Sequence, residues 1–505
     1  MDEDVGMAHR EIERTYAPTE GSGLPVLTRL PGVAAIGDPA AAEMSAAYFD
    51  TADLALTRAG VSLRRRAGGA DEGWHLKVPA GRGRDEIQLP LTDEQQPPRE
   101  LVALVLGWTR GAPLGQVATI RTRRSTYPLL DGAGAVLAEV ADDHVSGSAA
   151  DGVAGVAWRE WEVELVDGTP DLLAAADELM ATVGVPPSAV QRKIARVLGD
   201  RVPQRTRLPK AKAGKPAAHA VQRRLADQLA ELLRRDSEIR RGKDEGVHRA
   251  RVACRRLRSA LATFRPLVDR GVTDPLRDEI KWLGSQLAGA RDTKVVRERL
   301  TDLLREEAPT AGAAQQRIDD TYVRRRAVAN HVVATTLASE RYLDLLAALD
   351  RLVAEPPWTD AAQADAGDVL PPRVKKDWKR LRRRVASAQA AETEGDRDLA
   401  MHEARKAAKR LRYGAEVLRP VSGKDAKRLV KAAKRLTTLL GERQDTVMSR
   451  ACLADLASQA DAAGEDSFVF GRLHAREERR AAELDEQFTE VWAKVRRPRL
   501  RRWLG

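Results

Sequence analysis

The chain has 505 residues, of which 43% are hydrophobic and 31% charged, and its formal net charge is +11. Because single hydrophobic cores stop growing at roughly 250–300 residues, this length indicates at least two domains, and the apolar fraction excludes wholesale disorder. Two cysteines, Cys254 and Cys452, are too few for a disulfide framework or a cysteine-rich zinc site.

The start of the chain and its charge distribution narrow the class of protein further. Met1-Asp2-Glu3-Asp4 is acidic where a signal peptide would be basic, and no run of about 18 apolar residues follows, so we expect a cytoplasmic protein without a membrane span. Residues 1–198 carry 19 basic against 29 acidic side chains, whereas residues 199–505 carry 66 against 45. The basic part is expected to attract a polyanion, such as nucleic acid or polyphosphate; the alternative is a merely arginine-rich helical domain.

The first 165 residues show the period-2 alternation of β-strands, interrupted by glycine-rich turns. Eight short strands are predicted, which favours an antiparallel sheet or barrel, with helices at about 93–106 and 170–183. The predicted strands lie around Glu11–Glu13, Ala46–Phe49, Val61–Arg66, Trp74–Val78, Glu86–Leu89, Ala118–Arg124, Ala135–Val140 and Trp158–Leu165.

A proline- and lysine-rich stretch separates this part from the remainder. Residues 199–217 lack apolar periodicity and are predicted to be a linker between a domain at 8–198 and a domain at 218–505. From residue 218 onward the apolar spacing is helical, and the breaks leave roughly eight to ten helices. We therefore expect an α+β domain followed by an all-α domain.

The helical part contains an internal repeat. His248-Arg249-Ala250-Arg251-Val252-Ala253-Cys254-Arg255-Arg256-Leu257-Arg258 is echoed 154 residues later by His402-Glu403-Ala404-Arg405-Lys406-Ala407-Ala408-Lys409-Arg410-Leu411-Arg412. A second echo, Leu287–Asp292 and Leu439–Asp445, follows in the same order. Two echoes at nearly the same offset indicate a duplicated helical unit.

Each copy of the repeat places one histidine and three cations along a single helix face, with leucines behind it. A stripe of this kind suits phosphate oxygens, since guanidinium groups hold them through paired hydrogen bonds. The alternative is a solvated face, but Glu403 is the one acidic residue in either eleven-residue motif, so the cations would repel one another without an anion. His248 and His402 are also candidate metal ligands, but neither has a second histidine or cysteine at the spacing of a metal site.

The duplicated motif resembles the CHAD domain, a helical domain associated with inorganic polyphosphate. The resemblance covers about residues 218–500 and implies two four-helix bundles related by pseudo-twofold symmetry, whose basic stripes line a shared polyphosphate site. The residues that match the motif are His248, Arg251, Arg255, Arg258, His402, Arg405, Lys409 and Arg412, with Arg256 and Arg410 as weaker candidates.

The strands of the first domain carry like charges in alternation. Glu160, Glu162 and Glu164 share one face, as do Arg64 and Arg66 and, on another strand, Arg121 and Arg123. On an open sheet these faces would be solvated. In a closed barrel with its apolar face outside, carboxylates would hold a divalent cation that bridges to a phosphate chain held by arginine and lysine.

A second resemblance agrees with the barrel. Glu11-Ile12-Glu13, Tyr48-Phe49-Asp50-Thr51, Leu63-Arg64-Arg65-Arg66, Leu76-Lys77, Glu162-Val163-Glu164 and Lys193-Ile194-Ala195-Arg196 follow the order seen in CYTH domains of the triphosphate tunnel metalloenzymes. The resemblance covers about residues 8–198 and implies an eight-stranded antiparallel tunnel, Mg²⁺ or Mn²⁺, and hydrolysis of triphosphates. Metal ligands or catalytic carboxylates would be Glu11, Glu13, Glu162 and Glu164, and phosphate ligands Arg58, Arg64, Arg66, Lys77, Arg121, Arg123 and Lys193.

One departure from the CYTH pattern concerns the opening motif. The family has Glu-x-Glu-x-Lys, whereas Thr15 stands at the lysine position here, and the neighbouring Arg14 is expected on the other face of the strand. This substitution puts turnover in doubt. Asp142 and Asp143 are expected in a turn after the strand of Glu139 and are further candidate metal ligands, with a structural or solvated role as the alternative.

The sequence therefore favours a protein that binds inorganic polyphosphate and whose tunnel domain binds, and in an active form hydrolyses, triphosphate or short polyphosphate with a divalent metal. One alternative is a non-catalytic polyphosphate binder, possible because of Thr15. The other is a nucleic-acid binder, suggested by the basic tail Arg496–Arg502 but disfavoured by an aromatic content of 4%. Association with polyphosphate granules is a further expectation, and the oligomeric state is left open.

Overall fold

The computed structural model describes residues 9–80, 83–152, 155–189, 192–203, 208–307 and 312–505. The chain divides into two compact units, Met1–Thr206 and Arg207–Gly505. The first is built on a β-sheet and the second is helical. Within the described ranges, no helix has the length and apolar character needed to cross a bilayer.

The first unit contains ten strands and four α-helices in the described residues. The strands are β1 (His9–Glu11), β2 (Glu13–Tyr16), β3 (Ala35–Ile36), β4 (Ala40–Asp50), β5 (Ser62–Ala67), β6 (Gly73–Ala80), β7 (Gly83–Leu89), β8 (Gly115–Leu130), β9 (Val136–Ala149) and β10 (Val156–Leu165). The helices are α1 (Ala55–Ala59), α2 (Arg99–Thr109), α3 (Pro170–Thr182) and α4 (Lys193–Leu198).

The strands form one antiparallel sheet in the order β1-β7-β6-β5-β4-β8-β9-β10-β2, with the short β3 paired to β8. Only Ile12 separates β1 from β2, so a single N-terminal segment pairs with β7 at one edge and with β10 at the other. The sheet therefore curls round until its edges meet at this segment. All eight predicted strands are present, and the antiparallel tunnel-like sheet is confirmed.

The two faces of the curled sheet differ as the charge alternation predicted. Trp161 and Val163 of β10 pack in an apolar cluster with Leu172 and Met180 of α3, outside the curl. The intervening glutamates of β10 point to the inner face. Burying the apolar side chains under α3 stabilises the curl and leaves its interior to charged groups.

The second unit contains ten α-helices in residues 208–307 and 312–505, within the predicted eight to ten. They are α5 (Ala217–Arg240), α6 (Asp244–Thr263), α7 (Arg270–Gln286), α8 (Ala288–Glu307), α9 (Gly312–Ala338), α10 (Glu340–Ala354), α11 (Ala366–Gln389), α12 (Glu394–Val417), α13 (Arg419–Ala462) and α14 (Phe468–Val495).

Two hydrophobic clusters organise these helices. The larger joins α5, α6, α7, α10, α11 and α12, and the smaller includes α8; the long helices α9, α13 and α14 contribute to both. Near its start α13 bends at Gly423, whose φ of +48° favours glycine. Leu257, Leu261 and Phe264 lie in the larger cluster behind the basic stripe of α6, as predicted. The pseudo-twofold relation between two bundles stays a prediction.

Candidate functional sites

A cavity of about 100 Å³ lies on the inner face of the curled sheet. Among the described side chains, seven cations and four carboxylates line it, so the cavity is highly charged. The charged lining residues are Arg64, Arg66, Lys77, Arg84, Arg124, Arg192 and Lys193 with Glu13, Asp71, Glu162 and Glu164. The structure thus brings together seven of the sequence-predicted tunnel residues: Glu13, Arg64, Arg66, Lys77, Glu162, Glu164 and Lys193.

Three carboxylates form a cluster at this cavity. Oxygen atoms of Asp143, Glu160 and Glu162 lie within 4.8 Å of one another. The Lys193 Nζ atom is 2.8 Å from Asp143, 2.7 Å from Glu160 and 2.8 Å from Glu162. Arg124 donates two hydrogen bonds of 2.7 Å to Asp143 and pairs with Glu162 as well. We call Asp143, Glu160 and Glu162 the carboxylate cluster.

The pKa shifts in the carboxylate cluster show how its charges are balanced. Burial would raise the pKa of Glu162, but the Lys193 ammonium and the Arg124 guanidinium lower it well below its usual value. Burial is the dominant effect on Glu160 and raises its pKa against the pull of Lys193. The pKa of Lys193 is raised despite burial, because Glu162, Asp143 and Glu160 surround it. Lys193 is therefore a cation at neutral pH.

A second group of charges lies on β5, β6 and β7. Glu86 accepts a hydrogen bond of 2.7 Å from the His75 ring, and its oxygens are 3.6 Å from Lys77 Nζ and 3.8 Å from an Arg64 nitrogen. The Arg64 guanidinium also donates to the Tyr48 hydroxyl at 3.4 Å. Burial would raise the pKa of Tyr48, but Arg64, Lys193 and Lys77 lower it. The cations are thus close enough to act on one group.

Two further ion pairs complete the interior. Arg66 pairs with Asp71, and Arg84 pairs with Glu13 at 2.6 Å. Most tunnel cations therefore already have a carboxylate partner. An entering phosphate must exchange with these carboxylates or bring a cation of its own.

Two predicted phosphate ligands lie elsewhere, which corrects the sequence interpretation. Arg121 and Arg123 are exposed and line a separate groove of about 740 Å³ together with Glu43 and His144. They share a face of β8, as expected, but it is the outer face. Because side chains alternate along a strand, Arg124 is the cation that β8 directs into the tunnel.

Arg58 is likewise outside the tunnel. It is exposed on α1 and pairs with Asp53 at 2.8 Å, so it does not line the cavity. The predicted turn at Asp142 and Asp143 is also wrong, since β9 continues to Ala149. Alternation along β9 turns Asp143 inward, while Asp142 pairs with Arg159 at 2.6 Å.

The N-terminal segment carries the remaining tunnel residues. Glu11 lies in β1 opposite Arg84, but its side chain falls outside the described residues. Thr15 is buried in β2 directly opposite Glu162. Thr15 is uncharged, and the cations that pair with Glu162 are Lys193 of α4 and Arg124 of β8.

The carboxylate cluster fits a hard divalent cation by its donor chemistry. Mg²⁺ and Mn²⁺ prefer carboxylate oxygens, and three such groups converge here. The cluster differs from the predicted ligand set: Glu162 belongs to it, Glu13 is paired with Arg84, and Glu164 lines the cavity without joining the cluster. Asp143 and Glu160 take their places.

The helical unit has its own cavity, of about 250 Å³, between α6, α8, α12 and α13. Both copies of the repeat contribute to it, so the two motifs converge in space as predicted. The repeat residues that line it are His248, Arg251, Arg255, Arg405 and Lys409. Arg299 adds a further cation, and among the lining residues whose side chains the structure describes Asp445 is the one carboxylate. We call this the basic cavity.

Burial and the mutual repulsion of cations act together in the basic cavity. Burial, reinforced by the positive charges of Arg405, Arg255, Arg412 and Arg251, lowers the pKa of Lys409 to about 7. In the described parts of the chain, neither Lys409 nor Arg255 forms an ion pair, and the buried Arg255 Nε has no hydrogen-bond acceptor. An anion in the cavity would relieve this repulsion.

Three predicted residues do not reach the basic cavity. His402 Nδ1 is 2.6 Å from the Gln444 amide oxygen. Arg412 stacks on Tyr413 and donates to Thr437 at 3.1 Å, and Arg258 is half-buried outside the cavity lining. Ten residues separate each histidine from the last arginine of its motif, about 15 Å along a helix, so the stripe is longer than the cavity.

The weaker repeat candidates have structural partners. Arg410 pairs with the buried Asp377 at 2.8 Å, and Arg256 lies 3.4 Å from Glu416. Both partners come from outside the two motifs. These contacts assign Arg410 and Arg256 to packing between helices rather than to the basic cavity.

Sequence reasoning missed several lining residues. Arg84, Arg124 and Arg192 line the tunnel, and Arg299 lines the basic cavity. The alternation of Arg84, Glu86 and Gln88 along one strand was a usable signal for an inward charged face. Arg299 lies outside both repeats and had none.

Comparisons with known proteins agree with this architecture. A CYTH domain model matches residues 9–188, and a CHAD domain model matches residues 223–454. Uncharacterized proteins of Mycobacterium tuberculosis strains CDC 1551 / Oshkosh and ATCC 25618 / H37Rv are each 35% identical over 512 residues, covering 96% of either chain.

Solved structures resemble parts of the chain. PptA from Streptomyces chartreusis is 24% identical, covers 55% of this chain and 99% of its own, and has a TM-score of 0.46. The CHAD domain of Ricinus communis is 26% identical, with coverages of 58% and 96% and a TM-score of 0.46. HpAC1 from Hippeastrum, described as having a dominant triphosphatase activity, is 15% identical, with coverages of 38% and 95% and a TM-score of 0.23. By its two domain matches and its full-length relatives, the chain belongs to the family that joins an N-terminal CYTH domain to a C-terminal CHAD domain.

Proposed function

We propose that the chain is an inorganic polyphosphate-binding protein whose CYTH domain binds triphosphate or short polyphosphate and hydrolyses it with a divalent metal. The observation that supports this most strongly is the placement of the carboxylate cluster beside Arg64, Arg66 and Lys77 in one tunnel. Carboxylates suit a metal and the three cations suit phosphate oxygens, so the two halves of a metal–triphosphate complex have complementary partners.

Within the tunnel, the carboxylates and the cations have different proposed roles. Asp143, Glu160 and Glu162 would hold Mg²⁺ or Mn²⁺, which when bound supplies a Lewis acid for phosphoryl transfer. Arg64 and Lys77 hold the phosphate oxygens and offset the charge that develops on them, as in other phosphoryl transfers. The curled sheet excludes bulk water from most of this surface, which strengthens each charge interaction.

The basic cavity would take longer polyphosphate. Arg251, Arg255 and Arg405 provide paired N–H donors, and Lys409 provides a compact charge. Among the described lining residues the cations outnumber the one carboxylate, so a bound phosphate chain would be attracted from most sides. His248 would donate a hydrogen bond to phosphate.

Phosphate release from tripolyphosphate with Mg²⁺ or Mn²⁺ tests the catalytic part of the proposal. We expect metal-dependent release by the full chain and its loss in Glu162→Gln, Glu11→Ala and Glu13→Ala. Glu43→Gln, which removes one carboxylate from the outer groove, is the matched control and should retain release. No metal-dependent release from the unmodified chain would favour the non-catalytic alternative that Thr15 raises.

A further inference from the structure

Lys193 has a position that does not fit the role of a simple phosphate ligand. Its ammonium is within 2.8 Å of all three members of the carboxylate cluster. In that position the Lys193 ammonium pairs with the carboxylates that a divalent cation would need, so its charge is not available to phosphate. Lys193 therefore affects both the carboxylates proposed to bind metal and the cations proposed to bind phosphate.

The backbone that carries Lys193 is firmly docked. Ile194, Val197 and Leu198 of α4 pack in an apolar cluster with residues of β4, β8, β9 and β10. Arg192, just before α4, donates a hydrogen bond of 2.7 Å to the Thr57 carbonyl oxygen. The helix is thus fixed, and the flexible four-carbon stem of Lys193 is the part free to change position.

The phosphate-binding cations are within electrostatic reach of the same ammonium. Arg64 and Lys77 line the same cavity as Lys193, together with Tyr48, which accepts a hydrogen bond from Arg64. Lys193 therefore lies between the carboxylate cluster and the cations of β5 and β6. Movement of its side chain within this cavity would transfer one positive charge from the first group to the second.

We propose, on the basis of the function proposed above, that Lys193 is an exchangeable internal counter-ion: it yields the carboxylate cluster to a divalent cation and turns its ammonium toward phosphate beside Arg64 and Lys77. In the metal-free chain Lys193 and Arg124 balance two of the three carboxylate charges. Replacement of one ammonium by a divalent ion leaves the buried cluster balanced and frees a phosphate ligand. Metal and triphosphate thus bind cooperatively through Lys193.

The exchange also gives the Thr15 substitution a consequence. Thr15 faces Glu162 across the β2–β10 pair and supplies no charge, so the cation that neutralises Glu162 without metal comes from α4 and β8. Of the two cations that neutralise Glu162 without metal, Lys193 is the one that the exchange moves.

Metal affinity in the absence of substrate tests the exchange directly. Free Mn²⁺ is measured by electron paramagnetic resonance during titration of the full chain, its Lys193→Met variant and an Arg121→Met variant, which loses the same charge from the outer groove. Lys193→Met should bind Mn²⁺ about tenfold more tightly because a competing cation is gone. Arg121→Met should match the unmodified chain. Equal or weaker Mn²⁺ binding by folded Lys193→Met would overturn the exchange.

The second half of the test measures cooperativity with imidotriphosphate, a triphosphate analogue with nitrogen bridges. Saturating Mn²⁺ should raise the affinity for imidotriphosphate more in the unmodified chain than in Lys193→Met, since only the former gains a phosphate ligand. An equal gain in both would overturn the exchange while leaving the proposed function intact. If the unmodified chain binds neither Mn²⁺ nor imidotriphosphate, the proposed function fails as well.

An unmodified chain provides a readout that does not depend on the variant's folding. Amine-reactive labelling mapped by mass spectrometry reports how freely Lys193 reacts. Without triphosphate, Mn²⁺ should accelerate labelling of Lys193, because the amine leaves the three carboxylates that surround it and becomes accessible to the reagent. Labelling that Mn²⁺ leaves unchanged or slows would contradict the exchange.

Discussion

The tunnel and the basic cavity use similar cations in opposite electrostatic settings. In the tunnel, Arg66, Arg84, Arg124 and Lys193 each pair with a carboxylate. In the basic cavity, cations from both repeats surround Asp445, the one carboxylate among the described lining residues, and the pKa of Lys409 is lowered to about 7. The tunnel is therefore neutralised from within, whereas the basic cavity retains a charge surplus.

This difference indicates how each site would recruit its ligand. A phosphate that enters the tunnel competes with protein carboxylates, so a divalent cation is needed to satisfy them. A phosphate chain that enters the basic cavity meets cations that repel one another, so its binding removes an existing cost.

The largest effect is expected on polyphosphate affinity. Replacing Arg251 and Arg405 together by alanine should weaken binding of long-chain polyphosphate about 100-fold, because each substitution removes a charged hydrogen-bond donor from the basic cavity. The control replaces their exposed neighbours Arg249 and Lys406, which pair with Glu245 and Glu403. Isothermal titration should show a change of less than about threefold for the control. Equal losses in the two double variants would remove the basic cavity from the site.

The free energy of unfolding should fall when a cation is removed from the tunnel and rise when one is removed from the basic cavity. Arg124→Met should lower the free energy of unfolding by about 3 kcal/mol, because Asp143 and Glu162 lose a buried partner. Lys409→Met, measured at pH 6 where the repulsion is fully present, should raise it on the order of 1 kcal/mol. Urea unfolding without ligand compares them. Losses of equal size would contradict the proposed charge surplus.

Polyphosphate affinity should also depend on pH through Lys409. Arg251, Arg255, Arg405 and Arg412, together with burial, lower its pKa to about 7, so Lys409 loses its proton in the free cavity above that pH. Affinity should fall about three- to tenfold between pH 7 and pH 8.5, and binding at pH 8 should take up protons. The free energy of unfolding should change with pH in the opposite direction. It should rise from pH 7 toward pH 10.5, because over this range the unfolded chain keeps the Lys409 proton that the folded chain has lost.

The pH prediction has its own control on the same helix. Lys409→Met should flatten the pH profile over this range, whereas Lys406→Met should leave it unchanged. The other charged or titratable groups among the described lining residues are His248 of α6, Arg299 of α8 and Asp445 of α13, whose carboxyl pKa is raised by burial. A profile that stays steep in Lys409→Met would assign the titration to another group.

The smallest effect is expected at the outer groove. Arg121→Ala and Arg123→Ala should change phosphate release from tripolyphosphate less than about twofold, since both guanidinium groups lie on the outer face. Arg64→Ala, on the inner face, should lower release at least tenfold. A large loss from Arg121→Ala would show that the tunnel is not the site of the reaction.

Much of the fold followed from periodicity in the sequence. Alternation along Trp161–Leu165 predicted one apolar and one acidic face, and left open whether the acidic face is solvated or lies inside a barrel. The structure has the second arrangement, with the apolar face under α3. The repeat predicted that cations from residues 248–255 and 405–409 converge, and they line one cavity. These patterns work because a strand or a helix fixes the direction of each side chain from its neighbours.

The sequence predictions were wrong where the direction of a side chain depends on how the sheet curls and packs in the folded protein. Arg121 and Arg123 share a face, but which face of β8 is inner depends on how the sheet curls. Asp143 was misplaced because β9 is longer than its apolar pattern. The pairing of Lys193 with the carboxylate cluster joins α4 to β9 and β10, and no local pattern encodes a contact across that separation.

The central claim is that the basic cavity selects condensed phosphate over other polyanions, and competition at fixed salt tests it most directly. Fluorescent DNA and long-chain polyphosphate are titrated against each other on the full chain, with concentrations expressed per phosphate. We predict that polyphosphate displaces DNA at a far lower phosphate concentration than the reverse, and that Arg251→Ala with Arg405→Ala abolishes this preference. Equal displacement in both directions would contradict the account and identify a general polyanion surface.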